Sequence, residues 1–130
     1  MQKMLNVSQK LTNNPEDIDA ILITGNFIHP QFMMGITTAD ELEYKWAVMK
    51  EIIANTTKQI ERKFPGKPIL PAFGPTDNLF GYMAPETANL KLDIYDAIYG
   101  IWFEKYEKTG RIYSSLTDGG YYVQEINKNL

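Results

Sequence analysis

Two short apolar runs, each stopped by a glycine, constrain this chain more than any other feature. Ala20-Ile21-Leu22-Ile23-Thr24 ends at Gly25, and Ile69-Leu70-Pro71-Ala72-Phe73 ends at Gly74. Runs of this length and composition read as buried strands. Between them lies the most regular segment of the sequence. Thr38 and Glu41 form a T-x-x-E capping box. Leu42, Trp46, Met49, Ile53, Ile60 and Phe64 then recur three, four or seven residues apart, which gives one apolar helical stripe. Asn55 lies off that stripe and is expected to be exposed, and Pro65-Gly66-Lys67-Pro68 stops the helix. Strand, helix and strand in this order predict a parallel pair joined by a right-handed crossover. Both loops that follow the strands then leave the carboxyl edge of the sheet, where open α/β sheets bind ligands.

The remaining elements continue the alternation. Met1, Met4, Leu5 and Leu11 fit a short first helix, ended by Asn13-Asn14-Pro15. The stretch from Asn26 to Thr37 is loop, as is that from Gly74 to Pro85. Pro71 argues for a sheet position where one backbone donor is dispensable. A second long helix is predicted from Leu90 to Tyr106. Its apolar residues fall in two sets, Leu90, Ile94, Ala97, Ile101 and Leu92, Tyr95, Tyr99, Trp102, Tyr106, so it wants cover from two sides. Thr109-Gly110 ends it, Asp118-Gly119-Gly120 reads as a turn, and Tyr121 to Ile126 as a last strand. The order α-β-α-β-α-β argues for one α/β domain over residues 1–130. No internal repeat or low-complexity tract interrupts it.

Composition narrows the function classes. Hydrophobic residues make up 44% of the 130, enough for a core, and the net charge of -3 disfavours nucleic acid as a partner. The chain has no cysteine, which excludes disulfides and thiolate metal sites. No apolar run approaches the ~18 residues of a membrane span. The first ten residues hold Lys3 and Lys10 but no apolar core of a secretory signal. There is no P-loop, no G-x-G-x-x-G after a strand and no Ser-His-Asp arrangement in a nucleophile elbow.

The candidate residues cluster after the two strands. Asn26 is either a turn residue suited to left-handed backbone or a ligand. His29, the only histidine, is either an exposed loop residue beside Pro30 or a phosphate or metal contact. Asp77 in Pro75-Thr76-Asp77-Asn78 is either a turn former or a ligand. Met33-Met34 reads as packing filler. The aromatic set Tyr95, Tyr99, Trp102, Phe103, Tyr106, Tyr121 and Tyr122 falls at core spacing, with carbohydrate or lipid stacking as the competing reading.

These residues resemble the calcineurin-like metallophosphoesterases, within them the acid sphingomyelinase-like phosphodiesterases and vacuolar endopolyphosphatases. Ala20 to His29 is similar to the family's D-x-I-L-x-T-G-D-F with a following His. Ile69 to Asp77 is similar to its strand running into G-N-H-D. The sequon Asn55-Thr56-Thr57, Phe64-Pro65, the helix leading to Trp102 and Gly119-Gly120-Tyr121-Tyr122 follow in the family's order, over about residues 18 to 126. The resemblance implies a partial metallophosphoesterase-type layered α/β fold, with a short, mostly parallel sheet and two long helices. It also implies metal-dependent hydrolysis of phosphodiesters or phosphoanhydrides, with two divalent ions (zinc, iron or manganese) clamping the phosphate.

The departures fall on the ligands. The family's bridging Asp is Asn26 here, its ligand Asn is Pro75, and its catalytic His is Thr76, whose hydroxyl is no general acid near neutral pH. Asp77 keeps the family residue. His29 follows Asn26 by three residues where relatives have four. The family's earlier D-x-H and later G-H and G-H-x-H motifs have no counterpart. The expectation is therefore a degenerate or truncated domain, inactive as this chain and needing no cofactor. The alternatives are a non-catalytic interaction module, a segment of an active hydrolase completed by flanking sequence or a partner, and an unrelated α/β binding domain that mimics the pattern. An incomplete sheet predicts self-association or a partner chain. Relatives are secreted, lysosomal or vacuolar, so the compartment stays open.

Overall fold

The computed structural model describes residues 18–77, 87–104, 108 and 110–126. The first helix expected near Met1 to Leu11, and Tyr106, lie outside them. Strand β1 (Ile21–Ile23) pairs in parallel with β2 (Ile69–Pro71), in the register Ile21 to Ile69, Leu22 to Leu70 and Ile23 to Pro71. Helix α1 (Ala39–Lys63) connects them, so the β-α-β unit is present. Both strands are shorter than the apolar runs that announced them. Helices α2 (Ala88–Trp102) and α3 (Arg111–Gly119) follow. The chain is thus a mixed α/β structure with three helices and a two-stranded parallel sheet among the described residues.

Helix α1 starts where its capping box places it. Thr38 Oγ1 accepts from the Glu41 amide at 3.2 Å, and Glu41 Oε2 accepts from the Thr38 amide at 3.3 Å. Bonds from Thr37 to the same carboxylate, led by its backbone amide, hold the Glu41 pKa below the usual carboxylate value. The stripe then serves two cores. Ile53 joins Ile98, Tyr99, Trp102, Phe103 and Leu116, while Ile60 and Phe64 cover the sheet face formed by Ile21, Ile23 and Ile69. Asn55 is exposed.

Helix α2 packs against both α1 and α3, the two-sided cover its composition required. Its buried line is Ile94, Ile98, Tyr99 and Trp102. Ile98 belonged to neither predicted set, and Leu92, assigned to one of them, is 47% exposed. The aromatic residues interlock: Trp102 meets Phe73 at 5.1 Å between centroids, and Tyr99 meets Tyr113 edge-on at 4.9 Å. Most of the aromatic set is therefore wall and core, with Tyr121 an exposed exception.

Three expectations fail around the end of α2. The helix stops at Trp102, four residues early, and Gly110 opens a new helix instead of closing the old one. Helix α3 was hidden by its composition. Ser114, Ser115 and Thr117 are weak helix formers, and here each hydroxyl bonds a carbonyl three or four residues back. Asp118-Gly119 closes α3, with Gly120 as its left-handed cap, and is not a free turn. Across this junction Asp96 accepts from Lys108 at 2.8 Å and from Tyr113 at 2.9 Å, and the Lys108 bond lowers the Asp96 pKa.

The last strand does not form. Residues 121–126 carry no ladder, although Tyr121, Val123 and Glu125 are exposed and Tyr122 and Gln124 are not. Pro71 explains this. The Ala72 amide donates to Ile23 across the sheet at 2.7 Å, so the donor that Pro71 lacks falls on the outer edge of β2. The Pro71 carbonyl on that edge accepts from the Tyr122 hydroxyl at 2.7 Å. A side chain closes the edge where a strand would otherwise add.

Burial pushes the Tyr122 pKa up from 10.0 to about 12. The fold favours the neutral phenol, so this contribution is complete below pH 10 and is lost as pH rises through 12. Urea titrations across that range are expected to show Tyr122→Phe with a flatter alkaline loss of stability than the parent.

Candidate functional site

The two loops after β1 and β2 meet at the carboxyl edge of the sheet. Gly25 and Asn26 both take positive φ, 84° and 60°, which turns the first loop sharply back over the second. Asparagine tolerates this geometry better than most side chains. The turn leaves the amides of Asn26 and Ile28 without sheet or helix partners, and Asp77 takes both.

Asp77 is fully buried. Its Oδ2 accepts from the Asn26 amide at 2.6 Å and the Gly74 amide at 2.8 Å, and its Oδ1 accepts from the Ile28 amide at 3.1 Å. One carboxylate thus stitches together loops about fifty residues apart in sequence. Charge-assisted bonds of this kind are roughly twice as strong as neutral ones. Thr76 adds a second stitch, donating to the Ile28 carbonyl at 2.8 Å. Its hydroxyl also lies 3.4 Å from Asn26 Oδ1, but a single proton serves the shorter bond.

Above the stitch lies an open cleft of about 440 Å³ lined by Asn26, Ile28, His29, Pro30, Pro75 and Thr76. Four of the five sequence candidates therefore share one surface, and Asp77 sits beneath it. His29 is exposed and caps the short 3-10 helix Pro30–Met33, its Nδ1 accepting from the Gln31 amide at 3.3 Å. The neutral ring then carries its proton on Nε2. Sequence reasoning found these positions but missed what Asp77 and Thr76 do. The local signal in Pro75-Thr76-Asp77 is a turn, and the turn exists, with the Asp77 amide donating to Gly74 at 3.1 Å. The contacts to Asn26 and Ile28 depend on a distant loop.

Comparison with models of known families, with curated proteins and with solved structures finds no match.

The donor set can be judged on its own chemistry. The cleft offers an amide oxygen, an imidazole and a hydroxyl, while both oxygens of Asp77 are occupied by backbone donors. Two dications about 4 Å apart repel by about 16 kcal/mol at an effective dielectric near 20. Anionic ligands are what offsets repulsion of that size, and among the described residues no carboxylate lines this cleft. Among the described residues no three His, Cys, Asp or Glu side chains come together as a metal site. The described residues that line the cleft do not fit a paired metal centre.

Proposed function

We propose that this chain is a metallophosphoesterase-like module without turnover of its own, in which a carboxylate stitch has replaced metal bridging as the link between the strand-end loops. The observation that carries this reading is the buried Asp77 carboxylate with three backbone donors from the two loops. Asn26, His29, Pro75 and Thr76, the positions that resemble the family site, line one cleft over it. Both oxygens of the Asp77 side chain are engaged by the loops' own amides, and the cleft above it is lined by no carboxylate among the described residues. The test is hydrolysis of bis(p-nitrophenyl) phosphate with added manganese or zinc, alongside metal analysis of the purified chain. No turnover above buffer and no tightly held metal is expected. Turnover, or two tightly bound equivalents, would overturn the reading in favour of an active hydrolase segment.

An interaction role is favoured by a separate observation. The sheet face opposite α1 carries Leu22 at 69% exposure, and Tyr121, which lines the same cleft, is 61% exposed. Parallel sheets normally have both faces covered. No helix among the described residues is long and apolar enough to cross a membrane. A second chain is the cover proposed. Light scattering is expected to show concentration-dependent association that Leu22→Lys weakens, and a monomer at high concentration would exclude it.

A further inference from the structure

The two outer edges of the sheet differ. The Ile21 amide donates to Pro68 and the Ala72 amide to Ile23, so the peptide groups of Ile21 and Ile23 face β2. By strand alternation those of Leu22 face the other way, along the outer edge of β1. Neither the amide nor the carbonyl of Leu22 has a hydrogen-bond partner among the described residues. On β2 the same alternation turns Ile69 and Pro71 outward. There Pro71 has no donor to offer, and its carbonyl is taken by the Tyr122 hydroxyl at 2.7 Å. Trp102, Phe103 and Gln124 wall that side as well, lining a cleft with Ile69 and Pro71.

Sheets blunt a free edge with lysine, proline, a bulge or a cover. Ala20-Ile21-Leu22-Ile23-Thr24 holds no charge and no proline, and Leu22 is exposed. The open edge is short, bounded by Asp19 at one end and by the left-handed turn at Gly25 at the other. It is otherwise undefended.

We propose that β1 pairs with β1 of a second copy of this chain, antiparallel and centred on Leu22, so that two chains share one four-stranded sheet in the order β2-β1-β1-β2. The pairing rests on the second-chain cover proposed above and says which chain it is and where it joins. The centre is self-complementary. Leu22 exchanges both its bonds with Leu22 of the copy, and the two exposed side chains lie side by side on the face opposite α1. Charge selects the direction. Antiparallel pairing about Leu22 sets the exposed Asp19 opposite Gly25, whereas parallel pairing in register stacks Asp19 on Asp19. The helices leave room. Helix α1 covers Ile21, Ile23 and Ile69, and the two-fold axis puts its copy on the same face, roughly 14 Å away and clear of the ~8–10 Å at which helices pack. Growth stops at two chains, because the edges left outside are the β2 edges closed by Pro71 and Tyr122.

Amide exchange on the parent protein is the first test. From dilute to concentrated solution the Leu22 amide is expected to slow by about tenfold or more, while that of Ile69, outward on the other edge, does not change. The chain has no cysteine, so single cysteines report the register. A thiol cross-linker of about 8 Å reach is expected to join Leu22→Cys to its copy and to leave Asp19→Cys, about 20 Å from its copy, unjoined. Sedimentation is expected to show a dimer and nothing larger. A monomer at every concentration overturns the proposal together with the second-chain cover. Association that leaves the Leu22 amide unprotected, joins Asp19→Cys or builds larger species overturns the edge pairing alone.

Discussion

Asp77→Ala is expected to lower the unfolding free energy by about 3–5 kcal/mol, a large share of the ~5–15 kcal/mol available to a domain of this kind. Three amides, those of Asn26, Ile28 and Gly74, lose their acceptor together. Each buried donor left unpaired costs about 1–3 kcal/mol, and water entering the gap recovers part of that. For a chain of this size the midpoint of thermal unfolding should fall by about 10–20 °C. Asp77→Asn separates shape from charge. Its one carbonyl oxygen can still serve the Asn26 and Gly74 amides, while its NH2 faces the Ile28 amide with nothing to accept, so a loss of about 2 kcal/mol is expected. The parent should melt at the same temperature with and without a strong chelator, because the loops are joined by the carboxylate. An Asp77→Ala protein as stable as the parent would remove the stitch from the account.

What the sequence disclosed follows from how local each signal is. The capping box at Thr38, the stripe from Met49 to Phe64 and the two apolar runs are patterns within one element, and the structure realises them. Asn26 was legible as a left-handed turn residue for the same reason. Helix α3 was not, because Ser114, Ser115 and Thr117 favour turns and caps in isolation. Ile112 and Leu116, four residues apart and followed by the Gly120 cap, were the signal to weigh against them. Tyr121 to Ile126 misled in the opposite direction. It has the alternation of a strand, but the edge it would join lacks a donor at Pro71 and has its carbonyl taken by Tyr122. The role of Asp77 lay beyond local reading altogether.

The loop geometry gives the stitch its reach, and Gly25→Ala tests that geometry. Gly25 sits at φ 84°, and a Cβ built on it would fall on the backbone of Gly74 and Phe73. The reverse approach is equally close: a Cβ on Gly74 would meet the backbone and side chain of Asn26. Only with both glycines can the loops come near enough for one carboxylate to hold them. Gly66→Ala is the control, since Gly66 has φ 76° but nothing within 4 Å of an added Cβ. It should cost about 1 kcal/mol, the conformational penalty alone. Gly25→Ala adds a backbone clash to that penalty, and a loss of about 4 kcal/mol or more is expected. Hydrogen exchange at Asn26 and Ile28 should rise with it, because separating the loops frees the amides that Asp77 holds. If Gly25→Ala cost no more than Gly66→Ala, the loops would not be in contact, and the cleft shared by Asn26, His29, Pro75 and Thr76 would have no floor.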